Sequence, residues 1–73
     1  MKMSAASIGM KIKEYLDQNG TKYSFVAEKA GIPAPVMSVI LSGNRDIKTL
    51  EYYRICKVLN VPFEKFLEEV EGY

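Results

Sequence analysis

Apolar residues along this chain recur at intervals of three and four, and the stretches they mark close on a glycine or an asparagine. Ile8, Ile12, Tyr15 and Leu16 form one stripe, with Lys11, Lys13, Glu14, Asp17 and Gln18 on the opposite side. That spacing is the mark of a helix buried along one face. Val26, Ala27 and Ala30 repeat it, then Met37, Ile40 and Leu41, then Leu50, Tyr52, Ile55, Cys56 and Leu59, and last Phe63, Phe66, Leu67 and Val70. The stops are Gly20, Gly31, Gly43 and Asn60, residue types that accept the left-handed turn at a helix end. Pro33, Pro35 and Pro62 follow the stops, near helix starts, where a missing N–H does no harm. The pattern predicts five helices, over about 7–19, 23–30, 34–42, 49–59 and 62–70, with Ser7 as the first N-cap. No stretch alternates strictly between apolar and polar, so no strand is expected. Gly31-Ile32-Pro33 alone joins the second helix to the third, a connection that suits a helix-turn-helix corner over about 23–42. Residues 1–6 are expected to be a flexible tail, and 7–73 a single domain.

Composition narrows the chemistry. A chain of 73 residues, 48% apolar and 26% charged, has room for one core and one binding face. It has no His and one Cys. Those counts exclude a multi-ligand zinc site, a disulfide within the chain, and the Ser-His or Cys-His pairs of nucleophilic catalysis. No cofactor, metal or enzymatic activity is expected, and Glu68 and Glu69 read as a solvated helix face. Cys56, in mid-helix, reads as a small core residue. A lone thiol fits a reducing compartment, so a cytoplasmic location is expected. No apolar run suits a signal peptide or a membrane span. The net charge is +1, but residues 1–48 carry +3 and residues 49–73 carry −2. Such asymmetry hints at a polyanion partner, although scattered surface charge gives the same split.

The stretch from Gly20 to Arg45 carries more. Ala27 lies mid-way along the second helix, Gly31 follows four residues later, Ile32 comes next, and Ser38, Ile40 and Gly43 mark the third helix and its end. In this spacing the chain resembles the phage-repressor-like helix-turn-helix family, the Cro/repressor or xenobiotic-response-element type, over about residues 8–69. Ile55 to Val61 is also similar to the family's fourth helix and its apolar exit. The resemblance implies an all-α, compact five-helix bundle that binds double-stranded DNA, with the third helix in the major groove and the second across the phosphates. In that setting Ala27 and Ser38 are small where helices two and three meet, and Gly31 takes the left-handed corner. Family members often dimerise on near-palindromic sites, so a homodimer is expected, with no small-molecule effector within the chain.

Mapped onto this sequence, the resemblance gives a DNA-binding set of Lys22, Tyr23, Ala34, Pro35, Val36, Ser38, Val39, Ser42, Asn44, Arg45 and Lys48. The chain departs from the family in two places. Tyr23 stands where Gln is common, and its hydroxyl could still reach a phosphate. Ala34, Pro35, Val36 and Val39 stand where polar readers are usual, and offer thymine methyl contacts at most. Reading then falls to Ser38, Ser42, Asn44 and above all Arg45, with Lys22, Lys48 and Lys29 on phosphates. Each has a structural alternative. Ser38 can be a packing residue, Arg45 and Lys48 can pair with Asp46 or Glu51, and the Tyr23 ring can cap the core. If the third helix does not read DNA, its apolar strip suits a protein-interaction module on the same scaffold, such as an antitoxin, an anti-repressor or an anti-defence factor. At the C-terminal end, Phe63, Phe66, Leu67 and Val70 divide between closing the core and, with Tyr53 and Tyr73, an isologous dimer seam.

Overall fold

The computed structural model describes residues 5–67, with side chains from Ser7 onward. Among the described residues there are four helices, α1 (Ala5–Asn19), α2 (Tyr23–Ala30), α3 (Ala34–Leu41) and α4 (Thr49–Leu59), and no strand. All four end alike. Gly20, Gly31, Gly43 and Asn60 take positive φ, at 66°, 72°, 81° and 58°. The next residue returns its N–H to the carbonyl five positions back: Thr21 to Leu16 and Ile32 to Ala27 at 2.9 Å, Asn44 to Val39 and Val61 to Cys56 at 3.1 Å. This is the Schellman arrangement, which satisfies carbonyls that the helix leaves unpaired. At Gly31 the turn lets α3 depart at 118° to α2, and Ile32 drops into the core beneath the corner, 5% exposed.

The periodic residues meet in one core. Ile12, Leu16, Val26, Met37, Ile40, Leu41 and Ile55 are the largest fully buried side chains, joined by Ala27, Ala30, Tyr52, Cys56 and Phe66. Helix α1 packs on α3, and α2 packs on both α3 and α4. The α1–α3 crossing is close enough to dictate a residue. A Cβ placed on Gly9 would lie 2.2 Å from the Ile40 carbonyl oxygen, so only glycine allows the two backbones to approach this far. Cys56 is a buried free thiol, and burial pushes its pKa upward. That keeps it protonated and fits its reading as a core residue.

Several expectations are corrected. Helix α1 begins at Ala5, so Ser7 lies inside the first turn rather than capping it, because alanines continue the helix backward. Of the tail expected over 1–6, Ala5 and Ala6 are therefore helical. Leu50 is 56% exposed, because residues two apart on a helix point to different sides and Tyr52 holds the core side. The expected fifth helix is not formed over 62–67, which is a run of turns. Lys65 donates to Pro62 and Leu67 to Glu64, each at 3.0 Å with i→i+3 spacing. The Tyr52 hydroxyl explains the break. It donates to the Phe63 carbonyl and receives the Phe66 N–H at 3.4 Å, two groups that an α-helix would pair within its own backbone. Burial raises the Tyr52 pKa, keeping the hydroxyl a donor. Phe66 closes the core against Tyr15 and Tyr52, with ring centroids 5.5 and 6.3 Å away. Phe63 remains 43% exposed. Val70 and Tyr73 lie outside the described residues.

Candidate nucleic-acid interface

Helix α3 is fixed from inside and free outside. Met37, Ile40 and Leu41 anchor it, so Ala34, Pro35, Ser38, Val39 and Ser42 turn outward and are exposed, while Val36 is half-buried against the core. Ser38 was expected to be small because it met α2. It faces solvent instead, and Met37 fills the inward position. The outer face of α3 is thus short, smooth and mostly apolar.

Its polar members are unequal. The Ser42 hydroxyl donates to the Val39 carbonyl at 2.9 Å, one turn back on its own helix. Ser38 and Asn44 are exposed, and among the described residues their side chains make no hydrogen bond. Arg45, the expected strong reader, is committed elsewhere. Its guanidinium grips Glu51 with two hydrogen bonds of 3.0 and 2.9 Å and reaches the Asp46 carbonyl at 2.9 Å. A fork-to-carboxylate pair of this kind is strong because both partners are charged and planar. It holds the Glu51 carboxyl below the ordinary carboxylate range and raises the Arg45 pKa in turn. The same carboxylate accepts the Lys48 N–H at 2.9 Å, closing the first turn of α4. Arg45, Glu51 and buried Ile47 therefore staple the α3–α4 loop, and the pairing reading of Arg45 describes this structure.

Tyr23 is also engaged. Its ring packs partly into the core while its hydroxyl donates to Asp17, whose other carboxylate oxygen takes Lys13 at 3.1 Å. The Tyr23 hydrogen bond, more than Lys13, lowers the Asp17 pKa, and the carboxylate raises that of Tyr23. Lys29 lies over the Phe25 ring at 5.8 Å. Lys22 and Lys48 remain exposed, each just before a helix. Helix α2 has no acid in its first turn and no side chain capping its N-terminus, so its leading N–H groups stay open beside Lys22.

Sequence reasoning offered Glu51 only as one possible partner of Arg45 and Lys48, and it missed the structural parts of Gly9, Ile47 and Asp17. Glu51 carried a readable signal, since an acid at the third helical position is half of a capping box. Gly9, Ile47 and the Asp17 contact to Tyr23 carried none, because each depends on a partner in another element.

A tight left-handed glycine corner, a helix anchored on one side and bare on the other, and an open helix N-terminus beside a lysine define the helix-turn-helix class of domain. The family model described as Helix-turn-helix, of the Cro/repressor kind, matches residues 12–66, and the chain belongs to that family. Membership implies a DNA-binding domain. Neither the curated proteins nor the solved structures contain a match to the chain. Among the described residues no single helix is long and apolar enough to cross a membrane, and no group of His, Cys, Asp or Glu could hold a metal ion.

Proposed function

We propose that this chain is a sequence-specific DNA-binding transcriptional regulator that acts by occupying an operator as a homodimer. The observation that carries the reading is the free outward face of α3 in a chain of this family. Set in the major groove, α3 lays Ala34, Pro35 and Val39 against thymine methyl groups, while Ser38 and Asn44 supply hydrogen bonds to base edges. The open N-terminus of α2 receives a phosphate with Lys22 beside it, and Lys48 adds a second phosphate contact. Methyl contacts discriminate weakly, so DNA shape and half-site spacing carry much of the selectivity. A two-fold pairing sets the two third helices about 34 Å apart, one helical turn of DNA. Leu50 and Phe63, 56% and 43% exposed, offer apolar surface for the seam. Regulation is by occupancy, with no chemical step.

The test is anisotropy of duplexes selected from a random pool by the full chain, followed across salt concentrations. Replacing Lys22 and Lys48 with Ala should lower the slope of log affinity against log salt by about 1 per lysine and weaken all sequences alike. An unchanged slope and affinity would remove the phosphate contacts as drawn.

A second reading is a protein-interaction module that docks a partner protein through α3. The exposed apolar strip of Ala34, Pro35 and Val39 favours it. A pool that yields no enriched duplex, together with a protein partner lost on Val39→Glu in a folded chain, would select this reading.

A further inference from the structure

One cation beside the proposed interface is withheld from it. Arg45 lies between Asn44 and Lys48, and the DNA reading puts both of those on the duplex. A guanidinium in that place matches a phosphate as well as a carboxylate. Here its fork is already filled. Nη1 and Nη2 donate to the two oxygens of Glu51 at 3.0 and 2.9 Å, and Nη1 also donates to the Asp46 carbonyl at 2.9 Å. The pair is sheltered, with 30% of the Arg45 side chain and 18% of the Glu51 side chain exposed. The Lys13–Asp17 pair, by contrast, leaves 47% and 48% in water, where ion pairs are weak and screened. Glu51 is itself anchored twice. It accepts the Lys48 N–H at 2.9 Å, and it stands in the first turn of α4, where the helix dipole favours a carboxylate. A phosphate approaching Arg45 must displace this anchored carboxylate.

We propose that Glu51 is a specificity-determining residue of the α3 interface, because it withholds Arg45 from the DNA backbone and, by the same clasp, holds the loop that presents Asn44. The inference rests on the DNA-binding reading above. Phosphate contacts bind every sequence alike, so a further one raises affinity for unrelated DNA without adding base readout. With the clasp closed, Arg45 and Glu51 together carry no net charge, and the guanidinium displaces no counterion from the duplex. Sequence-independent binding then falls to few cations, Lys22 and Lys48 among them, and the outer side chains of α3 with Asn44 decide where the domain rests. With the clasp open, the domain gains a sequence-blind contact and loses order in the residue next to it. The two effects lower discrimination together. Glu51 thus acts as a positioning residue, through Arg45 and the loop, without touching DNA.

The test follows anisotropy of a duplex selected by the full chain, and of an unrelated duplex, across salt concentrations. Glu51→Gln keeps the side-chain shape and a carbonyl acceptor for the Lys48 N–H but cannot hold the guanidinium as an ion pair. It should bind the unrelated duplex more tightly than wild type and steepen the slope of log affinity against log salt by about 0.9. The affinity ratio between the two duplexes should narrow. A merely structural role predicts the opposite sign, since a loosened domain binds more weakly. Glu51→Gln combined with Arg45→Ala should return to the wild-type slope. Asp46→Asn, which changes the net charge equally but leaves the clasp closed, should stay near that slope. Arg45→Ala alone should also keep it, and this variant decides the matter where Glu51→Gln does not fold. An unchanged slope or a ratio that does not narrow in Glu51→Gln, an equal steepening in Asp46→Asn, or a slope shallower by about 0.9 in Arg45→Ala would overturn the inference and leave the DNA reading standing. No saturable binding of any duplex by wild type would remove both.

Discussion

The inner and outer faces of α3 obey opposite rules. Inward, Met37, Ile40 and Leu41 are at most 2% exposed, and the α1 backbone at Gly9 comes so near the Ile40 carbonyl that no Cβ fits between them. Outward, Ala34, Pro35, Ser38, Val39 and Ser42 are exposed and support nothing else in the fold, apart from the Ser42 hydroxyl on its own helix. One face tolerates almost no change in volume. The other is free to be chosen by whatever it touches. On a helix of eight residues, structural duty and the proposed recognition are thus divided by direction rather than by position along the chain.

The comparison breaks most sharply at Ile40. Ile40→Ala leaves a cavity where two helices meet and should cost about 3–4 kcal/mol. A domain this small commands only about 3–5 kcal/mol in all, so urea titration should find the variant largely unfolded at room temperature. Gly9→Ala comes next, at about 2–3 kcal/mol, because the added methyl meets backbone rather than a movable side chain. Alanine's better helix propensity, about 1 kcal/mol, works against that loss. A fall in melting temperature of roughly 10 °C or more is expected. A variant as stable as wild type would mean that α1 and α3 are not in backbone contact.

The loop that ends α3 responds less. Glu51→Ala removes the Arg45 clasp and the Lys48 N–H acceptor and should cost about 1–2 kcal/mol at neutral pH. The native carboxyl titrates below its ordinary value of 4.5, held there chiefly by the Arg45 hydrogen bonds. Its contribution is therefore present above the unfolded pKa and is lost as pH falls through the lower, native one. Thermal melts of the two proteins should converge as pH drops below 4.5. Smallest of all, Val39→Ser on the outer face should leave stability within about 0.5 kcal/mol while changing duplex affinity. A large loss of stability there would show that the outer face has a structural duty after all.

How far the fold could be read in advance follows from where each determinant lies. Gly20, Gly31, Gly43 and Asn60 were legible as helix stops because a positive φ selects residue type locally. Ile12 and Leu16, Val26 and Ala30, and Ile55 and Cys56 were legible because burial repeats with the helical period. Gly9 was not, since a glycine inside a helix looks only unfavourable until the Ile40 carbonyl is brought against it. The Tyr52 hydroxyl, which turns the expected fifth helix into a run of turns over 62–67, acts across eleven residues or more. Arg45 shows the same limit at the candidate site. An exposed arginine past a recognition helix reads as a base contact, and only the fold reveals that Glu51 takes both arms of its fork. The proposed contacts therefore rest on Ser38 and Asn44 rather than on Arg45, while Ala34, Pro35 and Val39 are exposed on the outer side of α3.

The most direct test of the division between the two faces is an amide-shift titration of the full chain with a duplex it has selected. The account predicts perturbations concentrated on Ala34, Ser38, Val39, Ser42 and Asn44, with Lys22 and Lys48 at the edges, and little change at Met37, Ile40 and Leu41. Perturbations centred away from α3, or no saturable change with any duplex, would contradict it.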